Sequence, residues 1–173
     1  IQDHGGGRQG FETCLAGHGP AATGDRTRYV AANAPETEGV TVSFREMVHK
    51  VHRGKNLEQD YVIVGFGTGY PDNFSEHRYD EVAFPTLPSG TKHCTVCHGE
   101  ENTAWIEASP RDHPTEQAVP STPWTIICAS CHDSSAATAH VEANTSPISG
   151  AESCMICHRQ GGVSPIDRNH MIR

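Results

Sequence analysis

The chain is 173 residues long, with a formal charge of −8, 35% hydrophobic residues and only 6% aromatic ones. Its acidic balance, without any basic stripe, argues against a nucleic-acid partner, and its longest apolar runs, such as Tyr61-Val-Ile-Val64, are far too short to span a bilayer. With 17 Gly and 11 Pro the supply of core side chains is thin, and the length supports one domain or two small ones.

Residues 1–40 are rich in Gly, Thr and Ala, show no sustained period, and are expected to form loop. Residues 43–53 predict a helix. Ser43 and Glu46 have the spacing of a capping box, Phe44, Met47, Val48 and Val51 line one face, and Gly54 ends the run. His49 and His52, three residues apart on it, fall close together on its surface. Residues 61–66 suggest a short strand, followed by Gly/Pro/Asn-rich loop as far as residue 94. Pro110, Pro114, Pro120 and Pro123 exclude a long helix and predict an ordered linker. The remainder reads as short helical turns joined by loops. The expected fold class is therefore mainly irregular, with short α-helices and little sheet. It forms a single domain over 1–173, in which a 1–93 segment precedes a motif-rich 94–173 segment.

Those motifs carry the chemistry. Cys94-Thr-Val-Cys97-His98, Cys128-Ala-Ser-Cys131-His132 and Cys154-Met-Ile-Cys157-His158 repeat one pattern, C-x-x-C-H, the attachment signature of c-type haem. Two thiols add across the porphyrin vinyl groups, and the next imidazole binds the iron. A defective copy, Cys14-Leu-Ala-Gly17-His18, keeps the first Cys and the His but has Gly17 in place of the second Cys. The four sites consume all seven cysteines, so a disulfide scaffold has nothing left to use and would not explain the adjacent histidines. Structural zinc does not require a His after each pair. Covalently held porphyrins would also supply the apolar bulk the composition lacks. The cofactor expected is haem c, three from the full motifs and a fourth through Cys14 alone, with His18 on its iron. Such attachment takes place outside the cytoplasm, so the chain is expected to be exported, with Ile1 at a mature or trimmed end.

An iron bound by one His takes a second axial ligand unless the site is open for catalysis. The chain has twelve histidines, and His18, His98, His132 and His158 belong to the motifs. His49 and His52 are the strongest distal candidates, able to serve two neighbouring irons. His140 and His170 each follow a motif at short range in loop-like sequence, and His4 lies beside Gly5-Gly6-Gly7. His93 directly precedes Cys94 and would struggle to reach another iron, while His77 and His113 sit in polar loops and read as solvated surface. Met47, Met155 and Met171 are unnecessary as ligands, and Met47 fits core packing better.

The order of these features resembles the haem modules of the OmcA/MtrC family of outer-membrane decahaem cytochromes. The likeness is carried by His4-Gly-Gly-Gly-Arg8 ahead of Cys14 and by Met47-Val-His49-Lys-Val-His52-Arg-Gly54. It continues through Gly65-Phe-Gly67, Asp72-Asn-Phe-Ser75 and Phe84-Pro85, and through the Cys128 to His170 ending. The resemblance implies that His4, His49, His52, His140 and His170 are distal ligands. That is five candidates for four motif sites. The extra one belongs to an additional haem outside this chain, stays idle, or serves a neighbouring subunit.

The expected function is electron transport by haem-to-haem hopping in extracellular or periplasmic respiration, without catalysis on a bound substrate. Partners would be other cytochromes or extracellular acceptors, with self-assembly into a filament through a shared His as a further option. Location at the outer-membrane surface or outside the cell follows from the resemblance, with the periplasm as the alternative. The competing reading is a multihaem reductase with an open iron at the Cys14/His18 site.

Overall fold

The computed structural model describes residues 4–7, 9–18, 40–66, 74–83, 93–99 and 123–170. His113, Met171, Arg8, the three prolines of the 110–120 stretch and the Phe84-Pro85 pair lie outside them. Within the described residues, short helices are joined by irregular chain, and one two-stranded sheet is present. This is the expected class.

A 3-10 turn at His4–Gly6 leads to helix α1, Phe11–Gly17, so the defective motif stands on a helix rather than in loop. Helix α2, Phe44–Arg53, follows the predicted one closely. Its capping box does not form, however. The Ser43 side chain makes no cap bond, the Ser43 amide donates to Thr41 Oγ1 at 3.0 Å, and Glu46 instead pairs with Lys50 one turn on at 3.1 Å. Gly54 ends the helix as predicted, at φ 49 and ψ −127.

Strand β1, Val62–Phe66, pairs antiparallel with β2, Phe74–Arg78, in the register Val62 to Arg78 through Phe66 to Phe74. The second strand corrects the loop expected there. Its residues are mostly exposed and polar, so no alternating apolar pattern announces it, and it exists because β1 supplies a partner edge. Above the hairpin sits the small core. Val42, Tyr61 and Ile63 are buried, and Val40, Met47, Val51, Leu57 and Tyr79 pack against them. Met47 is thus a core residue. Tyr61 is 1% exposed, its hydroxyl donates to the Thr41 carbonyl, and the Lys50 ammonium lies 5.4 Å over its ring.

The motif-rich segment builds helices α3, Cys94–His98; α4, Pro123–Cys128; α5, Ser135–Ala143; α6, Cys154–His158; and α7, Ile166–Asn169. Pro123 takes the first position of α4, where a missing N–H costs nothing. Helix α5 corrects the loop expected around His140. Ser134 Oγ accepts the Ala137 amide at 3.2 Å, and the alanines that follow are strong helix formers.

Two carboxylates join the parts of the chain. Asp133, directly after the second full motif, accepts the Glu58 and Gln59 amides at 3.1 and 2.8 Å, and its carbonyl takes the Gln59 side chain at 2.9 Å. Hydrogen bonds to a carboxylate contribute about 1.5–3 kcal/mol each when sheltered, and these are exposed, so the lower end applies. Glu152 accepts the Trp124 and Thr125 amides at 2.9 and 2.7 Å and the Thr125 hydroxyl, satisfying the N-terminus of α4 from across the fold.

Candidate functional site

In each C-x-x-C-H segment the second Cys and the His stand three and four residues after the first Cys, so each is a surface neighbour of that first thiol on the helical turn. Helices α3 and α6 have this form from end to end. The second motif begins at the end of α4 and continues the turn, with the His132 amide bonded to the Cys128 carbonyl at 2.8 Å. Helix α1 offers the same turn with Cys14 and His18, whose amide bonds the Cys14 carbonyl at 2.8 Å. None of the seven cysteines is in a disulfide.

The four motif histidines each face another imidazole. His18 faces His4 at 5.9 Å between ring centres, His98 faces His49 at 6.2 Å, His132 faces His170 at 6.0 Å and His158 faces His140 at 6.1 Å. Two imidazoles bound to one metal from opposite sides each place a nitrogen about 2 Å from it and a ring centre roughly 1 Å further back, which gives about 6 Å in all. Four pairs on unrelated segments share that separation. It is the separation that an iron held between each pair would set.

Ring orientation is fixed from behind. The Nδ1–H of His18 donates to the Val42 carbonyl at 2.9 Å, that of His49 to Arg45 at 2.6 Å, and that of His158 to Ser164 at 2.8 Å. A carbonyl oxygen can only accept, so Nδ1 carries the proton and Nε2 keeps its lone pair. This is how a metal-binding histidine is held in its productive tautomer. His52 has the same posture, with Nδ1 on the Val48 carbonyl at 2.7 Å and an exposed ring, but the four pairs do not include it. Nor do they include His77, an exposed residue of β2 bonded to Ser75, or His93, which caps α3.

Electrostatics suit neutral ligands and protonated thiols. Burial lowers the pKa of His49, outweighing the opposing Arg45 hydrogen bond, with His98 and His52 adding to the lowering. Burial also lowers His132, assisted by His170 and Arg53. Burial raises the thiols of Cys94, Cys131 and Cys154, and it pushes Cys128 up to about 11 with help from Cys154 and Glu152. Among the described residues no cluster of three or more His, Cys, Asp or Glu side chains could hold a bare metal ion. The residues fit haem. Cys128 lies within electrostatic reach of Cys94 and Cys154, and Cys131 within that of Cys94, so the three full motifs converge. Val96 and Ile156, the apolar residues inside two of those motifs, are 51% and 72% exposed.

Sequence reasoning missed three contributors. Asp133 and Glu152 act on backbone amides far away in the chain, which no local pattern reports. Arg53 keeps its Nε buried without a partner, although it follows His52 and its charge reaches His132 and Cys131.

The pairs also differ in kind. The ring planes of His4/His18 and His49/His98 are 26° and 17° apart, whereas those of His132/His170 and His140/His158 are 80° and 90° apart. Parallel imidazole planes act on the same iron d orbital and split it from its neighbour; perpendicular planes leave the two nearly degenerate. Electron paramagnetic resonance of the oxidised protein should therefore show two classes of low-spin signal in equal amounts, one rhombic and one strongly anisotropic. A single class would contradict these ring angles.

The family model described as outer membrane cytochrome MtrC/MtrF-like, domains II/IV, matches residues 1–171. No curated protein and no solved structure matches the chain. Among the described residues no helix is long and apolar enough to cross a membrane.

Proposed function

The chain belongs to the MtrC/MtrF-like outer membrane cytochrome family, and from that premise we propose that it conducts electrons through four haem c groups, each closed on both sides by histidine. The observation that carries this reading is the set of four opposed imidazole pairs, all close to 6 Å. Cys94 and Cys97 would hold one group, with His98 and His49 on its iron. Cys128 and Cys131 would hold another with His132 and His170, and Cys154 and Cys157 a third with His158 and His140. His18 and His4 serve the fourth. Haem c, when bound, supplies a one-electron iron couple whose potential follows its axial ligands, exposure and neighbouring charge.

The chain's own work is positional. Carbonyl bonds to Nδ1 hold the rings, Asp133 and Glu152 fix the motif turns against the rest of the fold, and convergence of the cysteines keeps the groups close enough for hopping. Arg53 is the cation placed to accept a propionate near His132. Membership of an outer-membrane family supports a location at the cell surface, with other cytochromes or extracellular acceptors taking the electrons. The single domain spans residues 1–173.

A reductase would need one open iron, and the defective motif is where it would be sought. His4 standing opposite His18 supports the closed alternative. Carbon monoxide and nitrite added to the reduced protein should leave its absorption spectrum unchanged; a shift equivalent to one haem would establish the reductase instead.

Self-assembly into a filament through a His ligand shared between copies would extend the same electron path beyond one chain. Electron micrographs of the purified protein should then show filaments, and single particles throughout would remove that form of the proposal.

A further inference from the structure

We propose that the haem at the defective motif is attached by a single thioether to Cys14, leaving its second vinyl group unreacted. The inference rests on the reading of His4 and His18 as an axial pair. What it adds is the covalent chemistry.

Cys14 lies in helix α1 four residues before His18, the same offset that separates Cys94 from His98 and Cys154 from His158. Thiol and imidazole therefore share one face, as they do in the full motifs. The Cys14 thiol is half-buried, and its hydrogen bond is a long one to the Gly10 carbonyl, 3.4 Å within the same turn, so no other group among the described residues claims the sulfur. His18 is the better anchored partner. Its ring is tied to Val42, a member of the small core, and its carbonyl accepts the Phe44 amide at 2.9 Å. His4 adopts φ 55, the left-handed region that costs a residue with a side chain about 1 kcal/mol or more. That conformation sets its ring 5.9 Å from His18. An abandoned site has no use for a strained histidine aimed at an anchored one.

Gly17 shows how the motif was altered. A Cβ built there would meet no atom within 4 Å. Among the described residues, then, the place of the second thiol is open. Loss of that cysteine removes one bond and leaves the rest of the apparatus standing.

The bond-forming step is redox-neutral. The sulfur of Cys14 forms a bond to one vinyl carbon, the vinyl double bond becomes single, and the thiol proton ends on the other vinyl carbon. The vinyl that a second cysteine would take stays conjugated with the porphyrin.

Proteolysis of the holoprotein, followed by mass measurement and pyridine haemochrome spectra of the fragments, tests this directly. The expected result is a Cys14 peptide carrying one haem, its α band red-shifted from that of the Cys94/Cys97 peptide, and a Cys14→Ser holoprotein lacking one covalent haem. A Cys14 peptide without haem, from a protein whose native spectrum counts four, overturns the thioether and leaves the axial pair intact. Three haems in both the native and the denatured protein overturn the site itself. A band at the same position as the Cys94/Cys97 peptide overturns the unreacted vinyl.

Discussion

Gly54→Ala should prevent the chain from accumulating as a fully loaded cytochrome. A Cβ at Gly54 would lie 2.2 Å from the Val82 carbonyl oxygen and 3.3 Å from that of Tyr79, both backbone atoms that cannot swing aside. The Val82 carbonyl is held there by the Lys55 amide at 2.9 Å, and the Val82 amide by Tyr79 at 3.1 Å. Backbone angles of φ 49 and ψ −127 add strain of about 1–3 kcal/mol for any residue with a side chain. Clash and strain together reach about 4 kcal/mol, among the largest single-residue effects. The end of α2 must then part from the segment that crosses it, and His49 moves away from His98. Gly99→Ala is the control, since Gly99 also has positive φ, at 80, but nothing lies within 4 Å of its Cβ. That variant should lose only the strain of about 1–3 kcal/mol, without the clash. Thermal melts and haem content separate the two, and equal melting temperatures would show that the Val82 contact does not constrain the helix.

What could be read from the sequence follows the reach of each signal. The motifs and the two-histidine helix are written in residues three or four apart, and both appear where expected. The defective motif was legible for the same reason, although its placement on α1 was not, because Gly- and Ala-rich surroundings hide a helix of seven residues. Strand β2 and helix α5 were missed on opposite grounds. The strand is polar and depends on its partner, while the helix carries a Ser cap and alanines whose propensity was undervalued. The capping box lost to other local partners, the Ser43 amide bonding Thr41 Oγ1 and Glu46 pairing with Lys50 one turn on. Ligand pairing was beyond reach altogether. Sequence supplied five distal candidates, and only the rotation of α2 about its axis, set by packing of Met47 and Val51 on Tyr61, decides which of its two histidines points at His98.

That rotation makes the sharpest functional prediction. His49→Ala should convert one haem from closed to open, because His98 would hold the iron from one side and nothing from α2 would replace the lost ring. His52, three residues on, points about 60° away around the helix by its 3.6-residue period and stands outside the pairs. The reduced variant should bind carbon monoxide at one haem, seen as a spectral change absent from the parent protein, and imidazole in the buffer should reverse it. His49→Met should close the iron again with a weaker donor and raise that haem's potential by roughly 0.1–0.2 V, a modest part of the about 0.8 V that axial ligands command. His52→Ala should leave the visible spectrum and carbon monoxide inertness of the isolated protein unchanged. If His52→Ala opens a haem and His49→Ala does not, the partner of His98 has been misassigned, and α2 serves its irons in the other order. The contrast matters for mechanism, because an iron closed on both sides only passes electrons, whereas an open one also binds ligands. A single ring removed from α2 is enough to turn a conductor into a site where small molecules bind.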